Sequence, residues 1–311
     1  MRCGKVLLFS LCCALGFAKA PAPPPEEQKP YKPHLSIEGD VLCWTPQVSG
    51  LDNNFGSGSS LQTTVNGVTT TYSTEIDVDP PSQWNAGYRI ALGWQFDPAP
   101  WQLAGVWTDF QGSAKKTANH GKWEVHLCQL DLAASYDICF SSVHLQPLIG
   151  LRGTSILQKL SSEVITQVVY PSSGTSTDTR IFRDREQFRA IGPLFGFNSL
   201  YPIKYGLSVF GNFAFGLLYG QYQLRFNDNE AITPPATAQQ IYSIIKKTMH
   251  SFDFDLDLAL GIQWERLIRD TYHAIFKLSL ENHQYFNQSR LGHTFGNVSF
   301  SGAAFSFGIT F

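Results

Sequence analysis

From Phe252 the chain alternates without a break. Phe252, Phe254, Leu256, Leu258, Leu260, Ile262 and Trp264 take every second position. Asp253, Asp255, Asp257, Ala259, Gly261, Gln263 and Glu265 fill the positions between. A period of two puts the sets on opposite faces of a strand, whereas a helix would spread both around its circumference. The same alternation recurs and predicts ten strands. They are His34–Trp44, Trp84–Phe96, Trp101–Phe110, Lys122–Ile138, Val143–Thr154, Phe188–Tyr201, Leu207–Tyr222, Ser251–Glu265, Tyr272–Gln284 and Asn297–Phe311. In Lys122–Ile138 the apolar parity changes near Leu127, where Trp123, Val125 and Leu127 give way to Leu130, Leu132, Ala134 and Tyr136; a β-bulge is expected there. Pro147 removes one ladder bond from Val143–Thr154.

The connections fall into two kinds. Leu51–Pro81, Gln111–Gly121, Ser155–Glu186, Asn227–Lys247 and Phe286–Phe295 are expected as long polar loops. Val65-Asn66-Gly67-Val68 is a hairpin signal inside the first. Val164–Tyr170 and Thr179–Arg183 form a further candidate hairpin inside the third. Asp97–Pro100, Cys139–Ser142, Pro202–Gly206 and Arg266–Asp270 are short turns. Counted from a periplasmic N-terminus, every long connection falls on the outer side and every short one on the periplasmic side. Outer-membrane barrels show this asymmetry, and a β-sandwich has no need of it. The expected fold is all-β: an antiparallel transmembrane up-and-down barrel of ten strands, or twelve if a hairpin from one long loop enters the membrane. In lipid every backbone amide and carbonyl must pair within the protein, so strands can span only as a closed ring.

Composition agrees. Of 311 residues only 15% are charged, while 14% are aromatic and 23 are Phe. The net charge of −2 leaves no electrostatic footprint for nucleic acid. After the N-terminus no apolar run is long enough for a membrane helix. The N-terminus itself reads as an export signal: Arg2 and Lys5, an apolar stretch Val6–Phe17, then small Gly16, Ala18 and Ala20. The expected division is a signal peptide 1–18, with cleavage after residue 20 as the alternative, a Pro-rich periplasmic leader 19–33, and a barrel 34–311. Cys43, Cys128 and Cys139 would remain after export. An odd number implies a free thiol or an intermolecular bridge, and small buried hydrophobes are an equal reading.

On the barrel reading, Phe252, Phe254, Leu256, Leu258, Leu260, Ile262, Phe305, Phe307, Ile309 and Phe311 face lipid. Trp94, Phe96, Trp101, Trp264, Tyr272 and Phe311 would form a periplasmic aromatic girdle, and Trp84, Tyr88, Tyr219 and Tyr222 an outer one. Gly93, Gly150, Gly216, Gly220 and Gly261 would relieve crowding inside. The lumen would be lined by acidic Glu38, Asp40, Asp253, Asp255, Asp257, Glu265 and Glu281, and by basic Arg89, Arg152, Arg189 and Lys277. These charges either set a transverse field that favours small polar or zwitterionic solutes, or pair and fill a narrow interior.

Six segments, in order, resemble one family: Gly39–Pro46, Gly87–Trp94, Pro147–Gly153, Gly192–Asn198, Phe210–Gly216 and Asp255–Glu265. They are similar to the pore-forming outer-membrane proteins of the Legionella type and the chlamydial major-outer-membrane-protein-like barrels. The resemblance implies a solute-conducting barrel in a Gram-negative outer membrane and supplies no catalytic residue. The last strand, alternating through Ala303, Phe305, Phe307 and Ile309 to Phe311, is similar to the closing strands that the barrel-assembly machinery recognises.

Other readings are weaker. An omptin-like hydrolase would use His250 with Asp253, Asp255 or Asp109 at the outer rim, and a phospholipase-like one His34 and Ser36. Neither shows a matching spacing, so no enzyme activity is expected. Asp253, Asp255 and Asp257 lack the Gly turn of a calcium loop, and no metal or cofactor is expected. The long outer loops suit an adhesive or structural barrel as well as a pore. Expected partners are membrane lipid, with lipopolysaccharide a further candidate, and the assembly machinery; homo-oligomerisation is compatible with the pattern.

Overall fold

The computed structural model describes residues 34–49, 59–65, 68–74, 83–96, 100–115, 122–140, 143–170, 174–233, 240–268, 272–291 and 296–311. The expected signal and leader lie outside them. The described elements are β1 (His34–Val48), β2 (Ser59–Val65), β3 (Val68–Thr74), β4 (Asn85–Gln95), β5 (Trp101–Lys115), β6 (Lys122–Tyr136) and β7 (Ile138–Phe140). They continue with β8 (Val143–Tyr170), β9 (Gly174–Lys204), β10 (Leu207–Thr233), β11 (Gln240–Ile268), β12 (Tyr272–Ser289) and β13 (Gly296–Thr310).

Ten of these strands make one antiparallel ring, in the order β1, β4, β5, β6, β8, β9, β10, β11, β12, β13. It closes where β13 pairs with β1, from Ser36 opposite Thr310 to Val48 opposite Val298. No edge of this ring is left open, so its backbone groups can be satisfied in lipid. β7 carries on the line of β6 past Asp137 and pairs with β8. The β2–β3 hairpin forms at the predicted signal, with Val65 opposite Val68. It docks on β8 through Thr69–Tyr72, beyond Ser161, where β6 ends its own pairing with β8. The turn between β9 and β10 holds Tyr205 and Gly206 at φ 57° and 76°. A two-residue hairpin turn of this hand needs positive φ at both places.

The exposed apolar residues share the outer face of the ring. Phe252, Leu258, Leu260, Ile262, Phe305, Phe307 and Phe311 lie exposed on the outside of the ring, and Phe254, Leu256 and Ile309 are half-buried on the same faces. Trp94, Phe96, Trp101, Trp264, Tyr272 and Phe311 are exposed at one end, and Trp84, Tyr88 and Tyr219 at the other. Tyr222, expected in the outer girdle, is instead fully buried inside.

Three other expectations are corrected. The expected bulge in β6 is absent: β5 and β6 pair in unbroken register from Trp101–Tyr136 to Lys115–Lys122. Odd-numbered β6 side chains face inward throughout, with Trp123, Val125, Leu127 and Gln129 buried, while Leu130 and Leu132 are exposed outside. What changes near Leu127 is the medium. Below it the outside is apolar and the inside polar; above it Glu124 and His126 face out and the apolar residues face in. The inversion recurs in β1 between Val41 and Trp44, in β10 between Tyr219 and Tyr222, and in β13 between Phe305 and Phe300. It marks the outer border of the membrane, past which water is outside and a packed core inside.

Two expected loops are strands. β8 and β9 pair continuously from His144–Leu200 to Tyr170–Gly174, so the described residues of Ser155–Glu186 are ladder, and Val164–Tyr170 and Thr179–Arg183 belong to its far part. β10 and β11 pair from Leu207–Trp264 to Ala231–Gln240, so most of Asn227–Lys247 is ladder. These stretches lack apolar alternation because both of their faces are outside lipid, so periodicity could not find them.

Candidate functional site

Alternation points one residue in two into the ring, and ring closure brings distant strands within side-chain reach. Arg89 on β4 donates to Asp40 Oδ2 on β1 at 3.1 Å, and to Glu281 Oε1 and Oε2 on β12 at 3.0 and 2.9 Å. Its Nε reaches Thr108 Oγ1 at 3.3 Å. Arg152 on β8 is 2% exposed and grips neighbouring Asp131 with two nitrogens, at 2.8 and 2.7 Å. It also bonds Asp255 and, at 2.6 Å, Asp257, both on β11 across the interior. His283 on β12 joins the two halves, with Nδ1 2.8 Å from Asp257 and Nε2 3.2 Å from Glu281. A continuous polar chain therefore crosses the ring: Asp131, Arg152, Asp257, His283, Glu281, Arg89, Asp40. Gly216 leaves room for it, since a Cβ there would lie 2.1 Å from Asp255 Oδ1. Nearer the periplasmic end Lys277 bonds Glu38 at 2.6 Å, and Glu265 bonds His273 at 2.7 Å.

Of the predicted lumen residues, Glu38, Asp40, Asp253, Asp255, Asp257, Glu265, Glu281, Arg89, Arg152 and Lys277 lie on inward faces. Arg189 does not. On β9 the even positions Glu186, Phe188 and Leu194 are buried inside, and Arg189 is exposed outside beside Ile191. The alternation alone starts this strand at Phe188; the full length of β9, from Gly174, shows that Arg189 shares its face with the outward Ile191. Apart from Asp253, which is bonded by the Tyr222 and Ser251 hydroxyls, these inward charges pair directly instead of facing each other as walls across open water. Asp131, His283 and Tyr285 complete the set. Their parity is legible, yet no spacing marks them, since their partners lie on strands far off in sequence.

Above the charges sits an aromatic layer. Trp44, Phe110 and Phe300 are fully buried, with ring centroids 5.3, 6.1 and 5.4 Å apart. Trp44 also lies 4.5 Å from the His283 ring and 5.6 Å from the Arg89 guanidinium. Beyond it the end of β12 turns inward. Asn287 adopts φ 55° and the β12–β13 register shifts between Tyr285 and Ser289. Part of the expected Phe286–Phe295 loop is thus an insert into the mouth. Tyr222 Oη on β10 shares its one proton between Asp253 Oδ2 at 3.0 Å and Asn287 O at 3.2 Å, Gln158 Nε2 on β8 donates to Gln288 O at 3.1 Å, and Arg290 N to Glu186 Oε2 on β9 at 2.7 Å. The Arg290 guanidinium lies 4.3 Å over the Tyr222 ring, and Leu291 is buried. Glu186, in β9 above the membrane border, is fully buried, and burial pushes its carboxyl up to about 8 against the opposing pull of Arg290. Below the insert a cavity of about 330 Å³ is lined by Glu38, Arg89, Gln102, Asn198, Asn212 and Lys277 among others.

The hydrolase candidates do not converge. His250 faces outward beside Tyr219, while Asp253 and Asp255 face inward, Asp253 accepting from Tyr222 Oη at 3.0 Å. Asp109 lies outward, 3.0 Å from His126 Nε2. His34 and Ser36 are neighbours two positions apart at the other end of β1. Among the described residues no three His, Cys, Asp or Glu side chains gather as metal ligands. Cys43, Cys128 and Cys139 are all free thiols.

A closed antiparallel ring with an apolar belt, aromatic girdles and a polar interior defines a transmembrane β-barrel of the Gram-negative outer membrane. Residues 25–308 match the family described as Legionella pneumophila major outer membrane protein precursor, and the chain belongs to that family. No curated protein matches it in sequence. Among solved structures it is similar to the Escherichia coli outer membrane protease OmpT, at 9% identity and TM-score 0.39, covering 89% of this chain and 96% of that one. A major outer membrane protein from Thermus thermophilus aligns at 12% identity and TM-score 0.33, over 75% of this chain and 98% of that one. A Pseudomonas aeruginosa FadL homologue aligns at 9% identity and TM-score 0.29, over 90% and 89%. Likenesses this distant carry nothing about function.

Proposed function

We propose that the protein is a porin-like channel for small polar solutes, closed in this conformation by the insert at its outer mouth together with the aromatic layer of Trp44, Phe110 and Phe300 on which it rests. One observation carries the reading: buried polar atoms without a partner gather at the closure. Among the described residues, Gln288 Oε1, Ser289 Oγ and Glu186 Oε1 have no hydrogen-bond partner there, while Asp40 Oδ1, Trp44 Nε1, Thr154 Oγ1 and Asp255 Oδ1 are spread through the interior below. Each such atom costs about 1–3 kcal/mol relative to solvation. A segment held this way gains hydration when it leaves, which offsets much of the contact it gives up. Beneath it the cavity carries charges of both signs, which suits small polar or zwitterionic solutes.

Planar-bilayer recording of refolded protein tests this. The wild type is expected to show rare, brief openings, and a variant lacking residues 287–291 sustained, resolvable steps. Silence from both, with folding intact, would overturn the channel. It would favour a second reading, a closed display barrel, for which the long β8–β9 and β10–β11 hairpins beyond the membrane border speak.

A further inference from the structure

The outer wall above the membrane border carries a row of cations that nothing described so far uses. In register, Glu124 on β6 stands opposite Lys159 on β8, Lys159 opposite Arg185 on β9, Arg185 opposite Arg225 on β10, and Arg225 opposite Lys246 on β11. All lie on outward faces, and Lys159, Arg185, Arg225 and Lys246 are exposed. Directly opposed side chains in a sheet have Cβ atoms about 4.5–5.5 Å apart, and like charges there are destabilising. The row holds three such pairs in succession. Arg183 stands one outward position above Arg185, and Arg189 two below it. Among the described residues, the acid on this row is Glu124 at its end, 3.7 Å from Lys159 and shared with Lys122. A groove of about 450 Å³ follows the row, lined by Lys159, Arg183, Arg185 and Arg225 together with the acids Glu124 and Asp184, among others.

We infer that this row binds the phosphorylated saccharide headgroup of an outer-leaflet glycolipid, lipopolysaccharide in kind. Mutual repulsion along the row is relieved by a polyanion that spans several cations at once, and arginine forks match phosphate oxygens. Height selects the source. Among the described side chains Ile191 is the outermost exposed apolar residue of β9, and the cations Arg189, Arg185 and Arg183 follow it toward the outside; on β11 the exposed Ile244 stands one outward-facing position beyond Lys246. At about 3.3 Å rise per residue and roughly 40° tilt, they stand about 5 to 20 Å above the hydrocarbon. A phospholipid headgroup zone is only about 5–8 Å deep, so its phosphates reach the lowest cation alone. Phosphates carried on sugars reach the rest. The inference needs only the membrane border, and holds whether or not the lumen conducts.

The test titrates refolded full-length protein in detergent with fluorescent lipopolysaccharide that retains its phosphorylated inner core. Saturable, salt-sensitive binding is expected. The double variant Arg185→Gln/Arg225→Gln is expected to weaken it by about tenfold or more, as the loss of two charge-assisted contacts implies. Heat-modifiable gel migration reports folding, and Lys159→Gln/Lys246→Gln replaces the first pair if that pair fails to fold. Equal affinity of folded variant and wild type overturns the inference. So does phosphatidylglycerol in vesicles binding as tightly, or inorganic phosphate at millimolar level displacing the lipid.

Discussion

At the scale of single residues, burial decides what each charge can do. Arg152 is held by three aspartates, and its removal leaves Asp131, Asp255 and Asp257 facing one another inside the ring. Arg152→Met is therefore expected to cost about 3–5 kcal/mol, the range for stripping one partner from a buried pair. Urea unfolding of the reconstituted barrel checks this. Glu186 behaves in the opposite sense to a salt-bridged carboxylate. Its folded value of about 8 lies above the ordinary 4.5, so the folded chain holds a proton that the unfolded chain has lost. Stability then falls as pH rises from about 4.5 through about 8 and is flat on either side, by the linkage between proton binding and folding. Asp253 adds to the strain and Arg290 opposes it. Glu186→Gln is expected to remove that slope and to leave the variant the more stable of the two above pH 8. Unfolding midpoints measured across pH would show the same slope in both if burial of Glu186 is not its source.

At the scale of one strand, β6 reports the depth of the membrane. Leu132 is 55% exposed on the lipid side, and His126 shares that face above the border. Leu132→Arg is expected to destabilise by up to about 2–4 kcal/mol in a bilayer, and His126→Arg by about 0–1. Equal effects would mean that the inversion near Leu127 has nothing to do with the membrane edge. The inward face of the same strand is a core in the ordinary sense. Trp123 is fully buried and donates to Gln158 Oε1 at 3.3 Å. Trp123→Ala is expected to cost about 3–5 kcal/mol, as for large-to-small changes in soluble cores.

At the scale of the whole molecule, the barrel is two environments stacked along one axis. The lower part faces lipid outside and encloses paired charges. The upper part faces water outside and encloses Trp44, Phe110, Phe188, Tyr222 and Phe300. Long hairpins prolong that upper part into the medium. Protease treatment of intact cells is expected to cut within β8–β9 and β10–β11 beyond Arg189 and Gln221, and to spare the turn at Tyr205-Gly206. Cleavage at that turn in intact cells would reverse the orientation.

How much of this could be read in advance follows from the range of each interaction. Alternation is a local property, so the ten ring strands, the Val65–Val68 hairpin and the outward Phe and Leu faces were legible residue by residue. The membrane border is written there too, as the parity change near Leu127. It reads as a bulge because one strand alone cannot tell a shifted backbone from a changed solvent. Pairing of charges was beyond local reading. Arg89 and Glu281 lie 192 positions apart, and only ring closure brings their side chains to 3.0 Å. Segment 287–291 was equally hidden, since its fit depends on β8, β9 and β10 on the far wall. Periodicity is written along the chain; what fills a barrel depends on how the ring is closed, and only the tertiary structure decides that.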